Sequence, residues 1–307
     1  VITPFLDRPR IAYFSMEIAL AADIPTYTGG LGVLAGDTLR SAADLKIPLI
    51  GVTLASRRGY FRQEIDAAGR QVEHADDWDP ARRCQPLPTT TAVAIEGREV
   101  RVRAWLYTVE SQLARRVPVI LLDTDVPENR PEDREITHHL YGGDQRYRLR
   151  QEMVLGVGGV RMLQALNVPV RSYHMNEGHS ALLAVELLRA AGRGEGASDG
   201  VRARCHFTSH TPVAAGHDRF GWPLADEVLG DLIEPAVLRG LAGEDSLNMT
   251  RLALNLSGYV NGVARRHAEV SRRMCPGHEV RAVTNGVHPA TWTSTGFANL
   301  YDRHMPG

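Results

Sequence analysis

A chain of 307 residues, 43% hydrophobic and 23% charged with a formal net charge of −1, has a globular composition, which argues against the disordered and fibrous classes. No run of about 18 apolar residues occurs, and the N-terminal VITPFLDRPR lacks a basic region followed by an apolar one, so neither a membrane span nor a secretory signal is expected and the chain reads as cytoplasmic. Cys84, Cys205 and Cys275 are far apart and form no CxxC pair, which argues against a disulfide framework or a cysteine-rich zinc site; no basic stripe invites nucleic acid.

IAYFSMEI (11–18) reads as a buried strand, followed by the glycine loop PTYTGGLG, an amphipathic helix over VLAGDTLRSAADL and a second apolar strand, PLIGVTLA (48–55). Strand, loop, helix and strand make a βαβ unit, which builds a parallel sheet. Alternating segments around GYFRQEID, AGRQVEH and REVRVRAWLYTV predict inserted hairpins before VPVILLDTD returns to the sheet. The polar VPENRPEDREITHHLYGGDQ is expected as a long loop with one helical turn. From Arg146 to Leu166 apolar residues recur at helical spacing, interrupted by GVGG, whose missing side chains would let a neighbour pack close. The strand VRSYHMN, the helix HSALLAVELLRAAG and the strand RARCHFTSH follow. NMTRLALNLSGYVNGVARRHAEVSRRM is expected as one long helix, and EVRAVTNGVHPATW as a strand and a turn. The fold class is therefore α/β, with a mainly parallel Rossmann-like sheet, and ligand-facing groups should gather where its strands run out.

Three segments deliver polar groups at such points. Gly30-Leu31-Gly32-Val33-Leu34-Ala35 formally matches the dinucleotide fingerprint G-x-G-x-x-G/A. IPTYT separates it from the preceding strand, however, and the next strand carries no acid for a ribose. What survives is general: glycines allow close backbone approach, and a helix start offers free amides to a phosphate or sugar oxygen. A tight turn with close helix packing accounts for the same glycines. YHMNEGHSALL places Asn176, Glu177, Gly178 and His179 between a strand and a helix, where Asn176 as N-cap and Glu177 at the dipole end is the simpler account. CHFTSHTPVAAGHDRF brings Ser209, His210 and Thr211 to a strand end stopped by Pro212. No partner base or nucleophile at recognisable spacing names a reaction there. NMT at 248 and NLS at 255 match a glycosylation sequon by chance. Of the 35 Lys and Arg residues only Lys46 is lysine, so a cofactor held as a lysine imine has one candidate.

In this order, YFSMEIAL, IPTYTGGLGVLAGDTLRSAADL, RLRQE, MNEGHSALL, TSHTPVAAGHDRF, YVNGVARRHAEVS and VTNGVHPATW resemble the α-glucan phosphorylases, the glycogen, starch and maltodextrin phosphorylase family, in its shorter bacterial branch. The resemblance implies two Rossmann-like halves facing each other across a cleft, the GT-B glycosyltransferase arrangement, of which this chain resembles the N-terminal half. Residues 1–290 would be the glucan-facing domain and 291–307 the start of the connection to a C-terminal domain. It implies reversible phosphorolysis of an α-1,4-glucan or maltooligosaccharide by inorganic phosphate, giving glucose 1-phosphate with retention, and leaves room for a homo-oligomer. The family binds pyridoxal phosphate through a lysine of the C-terminal half, and Lys46, in ADLKIP, does not match that motif, so the chain alone is expected to be inactive.

Carried over by the resemblance, Gly30 and Leu31 match the loop whose amides face glucose and phosphate, and His210 the histidine that contacts the glucosyl unit. Asn176, Glu177 and His179 match a motif lining the cleft, with Glu177 where an aspartate is usual. YGGDQ, with Asp144, matches a gate loop but is shorter and lacks its sugar-binding asparagine; Ala19 stands where larger enzymes have a tyrosine near the cofactor. A glucan synthase using a nucleotide sugar would share the fold, but its loop typically opens with lysine in place of Thr28. A non-catalytic glucan-binding domain is the rival of another class.

Overall fold

The computed structural model describes residues 2–305 apart from 112, 193, 195, 214 and 215. In chain order the strands are β1 Arg10–Ser15, β2 Leu49–Leu54, β3 Arg62–Ile65, β4 Gln71–His74, β5 Gln85–Ile95, β6 Arg98–Glu110, β7 Arg116–Asp123, β8 Val170–Asn176, β9 Cys205–Ser209, β10 Arg219–Gly221, β11 Ser246–Asn248, β12 Tyr259–Gly262 and β13 Arg281–Ala282. The helices are α1 Gly30–Asp44, α2 Pro131–Arg134, α3 Gln145–Met153, α4 Gly159–Ala165, α5 Leu182–Ala191, α6 Ala197–Arg202, α7 Trp222–Leu229, α8 Pro235–Ala242, α9 Met249–Asn255, α10 Arg265–Met274, α11 Pro289–Trp292 and α12 Thr295–His304. Among the described residues, none of these is long and apolar enough to cross a membrane.

Nine strands form one sheet in the order β13-β12-β9-β8-β1-β2-β7-β6-β5. The pairs from β13 to β7 are parallel, and β6 and β5 continue as an antiparallel edge. Both faces are covered, which is why these strands read as continuous apolar runs. The period-two side-chain alternation splits them cleanly: Phe14, Val52 and Leu122 join one core, Tyr13, Leu121 and Leu39 of α1 the other. From β1 the chain steps to β2 and β7 on one side, then returns to β8 on the other, so the strand order reverses at β1/β8. In open α/β sheets the carboxyl ends at such a reversal form the ligand crevice. Here the register sets Ser15 beside Asn176 and Asn176 beside Thr208.

The βαβ opening and the β3–β4 hairpin match expectation. So does the helix across GVGG: α3 and α4 are joined by a π-turn over Val154–Gly158. A Cβ at Gly156 would lie 2.6 Å from the Leu183 backbone nitrogen, so the missing side chain does admit α5. The single long helix expected from residue 248 to 274 is wrong. Gly258 donates its amide to the carbonyls of Arg202 and Cys205, turning the chain back against β9, and Tyr259–Gly262 becomes a strand between α9 and α10. Helical spacing of apolar residues does not report strand pairing with a segment 53 residues away. Strand β5 and helix α12 had no sequence-based expectation either.

Candidate functional site at the strand-order reversal

Two residues past β1, Glu17 is buried beneath the glycine loop. Its Oε2 accepts the amides of Thr28 at 2.8 Å and Gly29 at 3.2 Å, and its Oε1 accepts the Tyr141 hydroxyl at 2.9 Å. A Cβ on Gly32 would stand 2.6 Å from that Oε2 and 2.6 Å from the Tyr27 Cβ, so only glycine lets α1 start so close to the carboxylate. Gly29 caps α1 without a side chain, and the amides of Gly30, Leu31 and Gly32 find no acceptor among the described residues. With two loop amides already taken by Glu17, these three point the positive end of α1 outward.

Across the reversal, Asn176 is the last residue of β8 and not the helix N-cap expected from sequence. Its Nδ2 donates to Ser15 Oγ at 3.1 Å, which in turn donates to the Glu17 carbonyl at 2.7 Å. Asn176 Oδ1 therefore faces His210 Nε2, 2.7 Å away, and assigns the proton to that nitrogen. Burial, reinforced by the charge of His267 and opposed by Glu177, lowers the His210 pKa, so the ring is neutral at pH 7. His210 Nδ1 is left as an acceptor with no bond among the described residues.

Glu177 caps the turn that follows, at φ +76, a region costly to any residue but glycine. Its Oε1 accepts the Gly178 amide at 2.9 Å; its Oε2 accepts the amides of His210 and Thr211 and the Thr211 hydroxyl, at 2.9, 3.0 and 3.0 Å. Burial pushes this carboxyl up, but His179, His210 and the amide donors outweigh it and hold it below its usual value. Both oxygens are spent on the chain itself, so Glu177 shapes the His210 loop rather than presenting a free carboxylate.

His179 approaches Asp218 at 3.4 Å through Nε2 and meets the Tyr141 ring edge-on, its Nδ1 buried without a partner among the described residues. Asp218 also accepts from Arg148 at 3.0 Å, and Arg148 lies over the Tyr141 ring, 4.3 Å from its centre. Behind Arg148, which donates to its Oε1 at 3.1 Å, Glu152 is fully buried, and that burial together with the charge of Asp218 pushes its carboxyl well above the usual range. Asp144 caps α3 by accepting the Tyr147 amide at 2.9 Å and lies on the wall of a cavity of about 860 Å³ with Tyr141, Arg148 and Asp218. Gly30, Leu31, Asn176, Glu177 and His210 are thus connected through Ser15 and Glu17, His179 joins them through Tyr141, and Asp144 stays apart as a cap.

Sequence reasoning missed Glu17, Tyr141, Arg148, Glu152 and Asp218. One signal was available, an acid inside the otherwise apolar YFSMEI, because an unpaired buried carboxylate is costly. Among the described residues no group of three or more ligating side chains could hold a metal ion. The arrangement offers amide donors, a neutral imidazole and a polar cavity, which suits an oxygen-rich or anionic ligand.

Acid should expose how much of this cluster is buried neutral. Burial above all lowers His179 to about 4, and likewise His174, from the ordinary 6.5. The unfolded chain binds more protons below pH 6.5, so stability present at neutral pH is lost as pH falls from 6.5 towards 4, by up to about 1.4 kcal/mol per pH unit for each ring. Urea denaturation at a series of pH values measures this; a flat profile across that window would mean that the rings titrate freely in the fold.

A family model for carbohydrate phosphorylases matches residues 19–133. The chain is 38% identical, over 98% of its length, to a maltodextrin phosphorylase of Thermococcus litoralis, of which it spans 38%. It is 39% identical over 94% of its length to a glycogen phosphorylase of Mycobacterium tuberculosis, again spanning 38% of that protein. With a glycogen phosphorylase of Aquifex aeolicus it shares 32% identity, covering 97% of this chain and 46% of the relative. The chain thus spans less than half the length of these curated relatives.

Proposed function

We propose that this chain, a relative of the carbohydrate phosphorylases over nearly its whole length, is the glucan-facing N-terminal half of a retaining α-1,4-glucan phosphorylase of GT-B architecture. The observation that carries the reading is the pairing, at one strand-order reversal, of three free amides at the start of α1 with a neutral His210 held by Asn176. The amides of Gly30 and Leu31 would receive oxygens of inorganic phosphate and of the terminal glucosyl unit. His210 would hold that unit through Nδ1, its other nitrogen being fixed. Donors preset toward developing charge are worth roughly 3 kcal/mol each in a water-poor site. Glu177 would set the His210 loop, His179 would steady Tyr141, and the Asp144 cavity would take further glucose units of the chain.

Pyridoxal phosphate does not fit the residues present. Lys46 is exposed at φ +57, just past the C-terminal end of α1 and at the opposite end of that helix from the glycine loop. The reading therefore places the cofactor in the complete enzyme on a C-terminal domain, and no step here runs through it. Residues 1–290 would form the glucan-facing domain and 291–307 the connection, whose last two residues lie outside those described. In support, α12 buries none of its residues and exposes Phe297, Leu300 and Tyr301, as a helix covered by further protein would. The enzyme would be cytoplasmic and act without nucleic acid or membrane; association into a homo-oligomer is compatible with it.

The test is to supply the complete gene product with maltoheptaose, orthophosphate and pyridoxal phosphate. Phosphate-dependent release of glucose 1-phosphate is expected. Consumption of a nucleotide sugar with indifference to phosphate would make it a synthase instead; binding of maltoheptaose with neither reaction would make it a glucan-binding domain.

A further inference from the structure

Adjoining the cavity that holds Asp144, and sharing His217 and Arg219 with it, a depression of about 510 Å³ is lined by those two residues, Arg251 and His278 together with the apolar Leu254 and Met274, with no acidic residue in its wall. Its two arginines are fixed to each other through the backbone. Arg219 opens β10 and stands opposite Asn248 of β11, and Asn248 caps α9 by accepting the Arg251 amide at 3.0 Å. Arg148 and Arg239, on neighbouring elements, are each paired with an aspartate, whereas among the described residues Arg219 and Arg251 have no carboxylate partner. His217 donates Nε2–H to the Thr211 carbonyl at 3.1 Å, and its Nδ1 has no partner among the described residues. His278 feels the resulting positive field: burial, then Arg202 and Arg251, lower its pKa.

We propose that this depression binds a phosphate monoester, the phosphate between Arg219 and Arg251 and the organic part over Leu254 and Met274. Two planar guanidinium groups offer paired N–H donors that match phosphate oxygens, and a dianion would relieve the mutual repulsion of the cations. The inference does not depend on phosphorolysis. The same short loop serves both places, since Asp218, between His217 and Arg219, is the acceptor of Arg148. An occupant would thereby stiffen one wall of the neighbouring cavity.

Calorimetric titration of the chain with inorganic phosphate, then with glucose 1-phosphate, in chloride buffers of fixed ionic strength tests it. Arg219→Glu and Arg251→Glu should each weaken binding of both probes at least tenfold, while Arg82→Glu, the same charge change at an exposed turn before β5, should not. Tighter binding of glucose 1-phosphate than of phosphate would support the organic subsite. All three arginines are exposed, so folding should survive, which circular dichroism checks. The proposal is overturned if neither probe binds saturably, if Arg82→Glu weakens binding as much, or if the two site variants bind like the parent, in which case phosphate is held at the glycine loop alone.

Discussion

Glu177→Gln is expected to cost about 2 kcal/mol of stability and, in the complete enzyme, on the order of a hundredfold in turnover. In the parent, one carboxylate oxygen gathers the His210 amide, the Thr211 amide and the Thr211 hydroxyl, and the other takes the Gly178 amide. Glutamine keeps a single acceptor oxygen. If it serves the three-donor side, its NH₂ group faces the Gly178 N–H, donor against donor; if it turns over, three donors lose their acceptor. Bonds to a charged acceptor are worth roughly 1.5–3 kcal/mol, and a neutral amide forfeits part of that. The larger loss comes from position, because the His210 ring is aimed by the same loop, and a displacement of about 1 Å is enough to cost two orders of magnitude. Urea denaturation and kcat measured on the same preparation separate the two effects. A variant with parental kcat but lowered stability would show that the carboxylate only holds the fold.

Asp123→Ala should be the most destabilising single change, at about 3–5 kcal/mol. Asp123 is fully buried at the end of β7. Its Oδ2 accepts from Arg57 at 2.8 Å, Arg103 at 3.0 Å and the Trp105 indole at 2.8 Å, while Oδ1 takes the Asp125 amide at 3.0 Å. Alanine would leave two guanidinium groups and an indole N–H facing a void. The damage would spread to the candidate site, because the segment beside Arg57 carries the one that leads to Tyr141: Arg58 donates to the His138 carbonyl, and Gly59 accepts the Leu140 amide. Thermal unfolding followed by circular dichroism should show a drop of several degrees. A shift within error would mean that water replaces the carboxylate without cost.

How much of this was readable from sequence depends on the range of the interaction. The βαβ opening was legible because strand and helix periodicities are local, and β1, β2 and α1 obey them without interruption. The glycine loop was legible as a set of amides for the same reason. What aims that loop was not: Glu17 meets Tyr141 across 124 positions, and Ser15 meets Asn176 across 161. Nothing in the composition of YFSMEI or HHLYGGDQ says that they touch. The error over residues 248–274 has the same origin, since Val260 and Asn261 look helical until β9 is laid beside them. Asn176 looked like a cap because a polar residue between strand and helix is ambiguous until the register with Ser15 is known.

Lys46 has a practical consequence. These 307 residues hold one lysine side chain, Lys46, exposed at a left-handed φ of 57°. Acylating reagents can therefore attach a dye or tether through a side chain at one known place in the fold. The 15-residue α1 is about 22 Å long, so a fluorophore there would sit at one end of a ruler whose other end is the glycine loop. Ligand arrival at Gly30 could then be watched by energy transfer without a mutation anywhere near it.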